Sequence, residues 1–159
     1  MPFTKYGFSA ELLRGIKELG FKNPTPIQEQ ALPPAIEGRD VLACAMTGSG
    51  KSAAFGLPII HRLGGKAKGF TRALILTPTR ELAAQIDEHL NALAVHTPVS
   101  SAAIYGGVGM GAQEHALRRG TDIIKAMTLG ADMVGIGRLY CYAMAAAGAP
   151  GIERMLEIL

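Results

Sequence analysis

The chain has 159 residues, with 16 Lys plus Arg against 13 Asp plus Glu, 48% hydrophobic side chains and no Trp. That length and apolar content suit one globular domain and exclude a predominantly disordered chain. A net charge of +3 tolerates a polyanion without naming one, and the 2 cysteines, Cys44 and Cys141, stand in neither metal-ligand nor redox spacing, which predicts a reduced, cytoplasmic protein.

In chain order, Ser9 reads as the N-cap of a helix whose apolar residues Leu12, Leu13, Ile16 and Leu19 recur at helical spacing and which stops at Gly20. A second helix starts at Thr25-Pro26, with Pro at the first helical position, and runs to about Ile36. The pattern then changes. Asp40–Ala45 reads as a buried strand, followed by a glycine loop and a helix from about Gly50 to His61. Arg72–Thr77 is a second predicted strand leading into a helix from Thr79 to about Leu93. Val99–Tyr105 is a third, leading through Gly106-Gly107 to a helix near Ala112–Leu117. Apolar strands alternating with helices predict a parallel sheet with helices on both faces, an α/β fold in three layers. Beyond Gly120 the most economical pattern is a helix at Thr121–Leu129, a short strand Met133–Ile136 and two closing helices. The last of these, Gly151–Leu159, carries Ile152, Met155, Leu156 and Leu159 as one stripe.

Ala45-Met46-Thr47-Gly48-Ser49-Gly50-Lys51-Ser52 falls between a predicted strand and a predicted helix, the context that gives a phosphate-loop match structural meaning. Glycines let successive amides turn toward an anion and the helix start adds partial positive charge. Lys51 would reach terminal phosphates, and Ser52 would ligate the Mg²⁺ of a nucleotide. Ala45 stands where the first Gly of the strict pattern is usual. The plain alternative is a glycine-rich turn beside a surface lysine.

With Gly20-Phe21-Lys22-Asn23-Pro24-Thr25-Pro26-Ile27-Gln28 upstream, and Pro78-Thr79-Arg80-Glu81-Leu82 and Gly106-Gly107 downstream, this loop completes a set that resembles the N-terminal RecA-like domain of DEAD-box RNA helicases over about Phe3–Ile123. The resemblance implies a P-loop/RecA-like fold and Mg-ATP or Mg-ADP, or phosphate, as ligand. It puts Gln28 on the adenine edge, an aromatic such as Phe3 or Phe21 against the base, Thr47, Gly48, Ser49, Gly50, Lys51 and Ser52 around the phosphates, and Arg80, Gly106 and Gly107 along RNA. Each residue has a local alternative: Thr25 and Gln28 also spell a capping box, Phe3 and Phe21 suit a core, Arg80 suits an ion pair with Glu81, and the glycine pair suits a tight strand exit.

The helicase pattern breaks after Ile124. The Thr-Pro-Gly-Arg and Asp-Glu-Ala-Asp motifs of that family do not follow, and Asp87-Glu88 sits inside a predicted helix. Phosphoryl transfer needs acidic groups for metal and water and an arginine from a second domain. The expectation is therefore neither helicase nor significant ATPase activity, no catalytic residue, and weak or no RNA binding. Arg118–Arg138, continuing to Leu159, resembles instead the C-terminal end of FMN-dependent α-hydroxy-acid oxidases and dehydrogenases, which are TIM barrels. That resemblance implies a weak second phosphate site at Gly135, Gly137 and Arg138. The barrel's catalytic segments are missing, so FMN itself is not expected.

Two signatures in one short chain predict an engineered chimera: a single domain over 1–159, helicase-like over 1–120 and flavin-barrel-like over 121–159, its last strand and helices borrowed from a barrel. The alternatives are a fragment that holds FMN or phosphate through Gly135–Arg138, and a recombination scaffold without activity. The two resemblances disagree at Thr121–Ile124, extended in the helicases and helical in the barrels. Met1–Lys5 opens no basic-then-apolar leader, and Lys125, Asp132 and Arg138 interrupt the apolar C-terminal third, so neither a signal peptide nor a membrane partner is expected. The sequence leaves the oligomeric state open.

Overall fold

A computed structural model of the chain describes residues 2–65, 70–106, 109–118 and 123–127. A 3-10 turn at Pro2–Tyr6 leads into α1 (Ala10–Glu18), where the Ser9 hydroxyl accepts the Leu12 amide at 3.3 Å, as an N-cap should. Helix α2 (Pro26–Ile36) has Pro at its first position, and α3 (Lys51–Leu63) follows the glycine loop. Then come β1 (Ala73–Thr77), α4 (Arg80–Ala94), β2 (Ser101–Ile104), α5 (Met110–Arg118) and β3 (Ile123–Met127). Thr79 caps α4 by accepting the Leu82 amide at 3.2 Å.

The core lies among the helices. Phe3, Leu12, Ile16, Leu32, Leu57, Ile60, Leu90 and Leu93 are fully buried and join α1, α2, α3 and α4 in one cluster. Gly15 lets α1 ride directly on the Leu93 carbonyl of α4, and Gly56 leaves room for the Leu90 side chain; a Cβ at either glycine would collide. Gln113 of α5 is also buried, and its side chain accepts from the Tyr105 amide at 2.7 Å and donates to the Tyr105 carbonyl at 3.1 Å, pinning the exit of β2.

The sheet is parallel, in the order β1-β3-β2, with β3 between its neighbours: Ala73 pairs Ile123 on one side and Ser101 pairs Ile123 on the other. Period-2 alternation divides β1. Ala73 and Ile75 pack against the helical core and Thr77 is buried, whereas Leu74 and Leu76, on the opposite face, are 62% and 40% exposed.

Two sequence expectations need correction. Asp40–Ala45 is irregular rather than a strand, and Leu42 is 82% exposed. A strand exists only with a neighbour to complete its ladder, and none of β1, β2 and β3 pairs with this segment. Thr121–Leu129 is not a helix over its described part: Ile123–Met127 is a strand. Paired on both edges, its backbone gains more from two ladders than from the helical pattern of its side chains. The strand Met133–Ile136 and the two closing helices lie outside the described residues. No described helix is long and apolar enough to cross a membrane.

Candidate nucleotide-binding loop

The loop after residue 45 is shaped by backbone geometry. Gly48 and Gly50 have φ of +80° and +89°, which only glycine adopts without strain, and the Ser49 amide donates to the Met46 carbonyl at 3.3 Å to close the turn. Gly50 is the N-cap of α3, whose first turn holds no acidic residue. The first-turn amides of a helix lack intrahelical partners, so this end offers N–H donors and a positive dipole end together. The Lys51 ammonium folds back over the loop and donates to the Ala45 carbonyl at 2.5 Å and the Met46 carbonyl at 2.6 Å.

The start of α2 braces the same loop. Gln28, only 3% exposed, accepts the Thr25 amide at 3.0 Å and donates to the Gly50 carbonyl at 3.1 Å. Its amide keeps one N–H and one lone pair beyond these two bonds. A Cβ at Gly50 would fall 2.5 Å from Gln28 Nε2 and 3.1 Å from Thr25 Oγ1. The Thr25 hydroxyl sits in capping-box arrangement over the first turn of α2, yet Thr25 Oγ1 and Ser49 Oγ are both buried without a well-formed hydrogen bond of their own. Such groups cost free energy until a donor or acceptor reaches them.

The structure thus brings Gln28 to the loop of Thr47, Gly48, Ser49, Gly50, Lys51 and Ser52. It does not bring Phe3 there as a free platform. Phe3 is fully buried, its ring 6.2 Å from Tyr6 and 6.4 Å from Phe21, so stacking on a base would mean leaving the core. Phe21 is half-buried and also meets the His89 ring at 5.9 Å. Burial holds the His89 imidazole below its ordinary range. Arg80 is exposed at the start of α4. Its neighbour Glu81 is held below the usual carboxylate range first by the helix-start amide, then by the Thr79 hydroxyl, with Arg80 the least of the contributors. Gly106 is half-buried; Gly107, Gly135, Gly137 and Arg138 lie outside the described residues. Sequence reasoning missed the Ala45 and Met46 carbonyls as partners of Lys51, and nothing in a sequence marks a particular carbonyl. It also missed the paired orphan hydroxyls, for which the Thr25 capping signal was the one available cue.

The model of the DEAD/DEAH box helicase family matches residues 25–133, which contain this loop, its brace and all three strands. The chain belongs to the DEAD/DEAH box helicase family. It is similar to the ATP-dependent RNA helicase CshA of Listeria monocytogenes, 39% identical over 77% of this chain and 23% of that protein, and to the DEAD-box ATP-dependent RNA helicase 28 of Arabidopsis thaliana, 48% identical over 78% of this chain and 16% of that protein. Among solved structures it resembles the RNA-helicase Prp28 from Chaetomium thermophilum bound to ADP, with a TM-score of 0.71 and 36% identity over 89% of this chain and 33% of that one. The helicase-family chain therefore spans less than a quarter of these curated relatives. The model of the FMN-dependent dehydrogenase family matches residues 114–159, overlapping the helicase match.

Proposed function

We propose that this helicase-family chain is an adenine-nucleotide-binding P-loop module that takes Mg-ADP or Mg-ATP, or phosphate, at residues 47–52. The observation that carries the reading is the convergence, around one glycine turn at a helix start, of the Lys51 ammonium, the orphan hydroxyls of Thr25 and Ser49 and the spare hydrogen-bonding capacity of Gln28. Those groups fit a polyphosphate. The first-turn amides and Lys51 would hold the phosphates, Ser52 the magnesium, and Gln28 the edge of the base; Phe21 is the aromatic left near enough to the surface to flank it. Bound nucleotide would supply a phosphoanhydride, but the chain carries no Asp-Glu-Ala-Asp sequence. The proposal therefore includes neither helicase nor significant ATPase turnover. RNA contact at Arg80, Gly106 and Gly107 is proposed as weak and strongly salt-dependent, since the chain's net charge is only +3.

The proposal extends to origin: a helicase-like part and a flavin-barrel-like part joined in one domain, the two family matches being its support. The extended conformation of Ile123–Met127, paired in the helicase-like sheet, favours a seam beyond Met127 rather than at residue 120. The dehydrogenase match also favours a second reading, an anion held at Gly135, Gly137 and Arg138.

Isothermal calorimetry separates these readings. The nucleotide module predicts saturable Mg-ADP binding that Lys51→Ala abolishes and Arg138→Ala leaves intact. Binding lost with Arg138→Ala but kept with Lys51→Ala would shift the site to the C-terminal segment, and no heat from any ligand would leave a scaffold without function.

A further inference from the structure

The net charge of +3 is unevenly placed along the chain. No Asp or Glu occurs between Asp40 and Glu81, and residues 61–72 carry 4 Lys or Arg side chains, Arg62, Lys66, Lys68 and Arg72. This stretch joins the end of α3 to the start of β1. Arg72 donates from Nη2 to the Leu63 carbonyl at 3.2 Å, which holds the strand entrance against the helix exit. Arg62, exposed on the last turn of α3, lies with its guanidinium against Gly38: a Cβ there would fall 2.6 Å from Nη2 and 3.2 Å from Cζ. Gly38 has no side chain to displace it, so this cation is placed by packing rather than left to sample solvent. The acidic residues nearest Gly38 in sequence are Glu37, which pairs with Arg39 at 2.8 Å, and Asp40.

Phe70 stands two residues before Arg72 with 57% of its surface exposed, outside the helical core. An exposed ring beside a placed cation is the combination that grips a single strand of nucleic acid, because cations follow the phosphates while a base of any kind stacks on the ring. An acidic peptide would use the cations and leave the ring idle, and a duplex offers no free base face. A membrane surface calls for a broad apolar face rather than one ring. The corner is also remote from the phosphate loop: Arg62 lies about 16 Å along the axis of α3 from Lys51, and Arg80 follows the other end of β1. We propose that the α3–β1 corner, through Arg62 and Phe70, is a separate contact for single-stranded nucleic acid. A base stacks on Phe70 and a neighbouring phosphate meets the Arg62 guanidinium.

The test is fluorescence anisotropy of a labelled uridine dodecamer against the full chain, at salt from about 50 mM to about 200 mM. Phe70→Ala should weaken binding about tenfold and Phe70→Tyr should retain it. Arg62→Ala should weaken it and lower the slope of log affinity against log salt by about 1. Both side chains are exposed, so neither change should move the melting temperature. Lys51→Ala should leave binding unaltered, which keeps the outcome independent of the phosphate loop, and Arg80→Ala should matter less than Phe70→Ala. No binding at the lowest salt, or binding that survives both Phe70→Ala and Arg62→Ala, would overturn the proposal. So would polyglutamate binding as tightly as the oligonucleotide, which would make the corner a plain cationic surface. Phe70-dependent binding to phosphatidylserine vesicles without oligonucleotide binding would assign it to a membrane and overturn the proposal as well.

Discussion

The helical flank and the sheet of this molecule differ in how completely they are packed. The flank is closed: α1, α2, α3 and α4 bury Leu12, Leu32, Leu57 and Leu90 completely, and two glycines permit backbone approaches that larger residues would block. Among the described residues the sheet has three strands, Leu74 and Leu76 are exposed, and residues 40–45 pair with none of the three. Helices satisfy their own backbones and need only a face to pack on, whereas each strand depends on a neighbour that comes from elsewhere in the sequence. The loop-and-helix geometry at Gly48–Ser52 accordingly rests on local turns and on the packing of α3, with no strand ladder before it among the described residues.

Substitutions can break that contrast. Leu90→Ala, in the closed flank, should cost roughly 2–5 kcal/mol in denaturant unfolding, while Leu42→Ala, in the unpaired segment, should stay within about 0.5 kcal/mol. Equal losses at the two positions would mean that residues 40–45 are packed in solution. At the loop, Mg-ADP at about 100 times its dissociation constant should add about 2.7 kcal/mol of stability, and Lys51→Ala should remove that gain. Gly15→Ala should cost about 1–3 kcal/mol, because its methyl group must push α1 off the Leu93 carbonyl.

The smallest expected effect is with pH. His89 has its pKa lowered by burial, so below the unfolded value of about 6.5 the unfolded chain binds the proton more readily than the folded one. Stability should therefore fall as pH drops from 7 toward 5, and His89→Gln should flatten part of that slope. An unchanged slope in the variant would place the titrating group elsewhere.

Much of the helical flank was legible in the sequence because its signals are local. Ser9 and Thr79 cap the predicted helices, Pro26 opens another, and the spacing of Leu12 and Ile16 marks a buried face. The glycine turn before α3 was legible for the same reason, since glycine at positive φ before a helix is a statement about a few consecutive residues. What failed depended on distant partners. The apolar run at 40–45 has strand composition without a strand to pair with. Ile123–Met127 carries a helical pattern but is captured between β1 and β2. Phe3 suited either a base or the core, and the packing of the Pro2–Tyr6 turn on α2 and the Phe21 ring decides for the core.

The central claim is that the main-chain turn before α3 receives a polyphosphate. A ¹⁵N-resolved NMR titration of the full chain with Mg-ADP reads it residue by residue. The account predicts saturable shifts of the Gly48, Gly50 and Lys51 amides, joined by the side-chain amide of Gln28, with Leu42 and Leu74 unmoved. Shifts confined to residues 135–138, or none at the glycine turn with nucleotide in large excess, would contradict it.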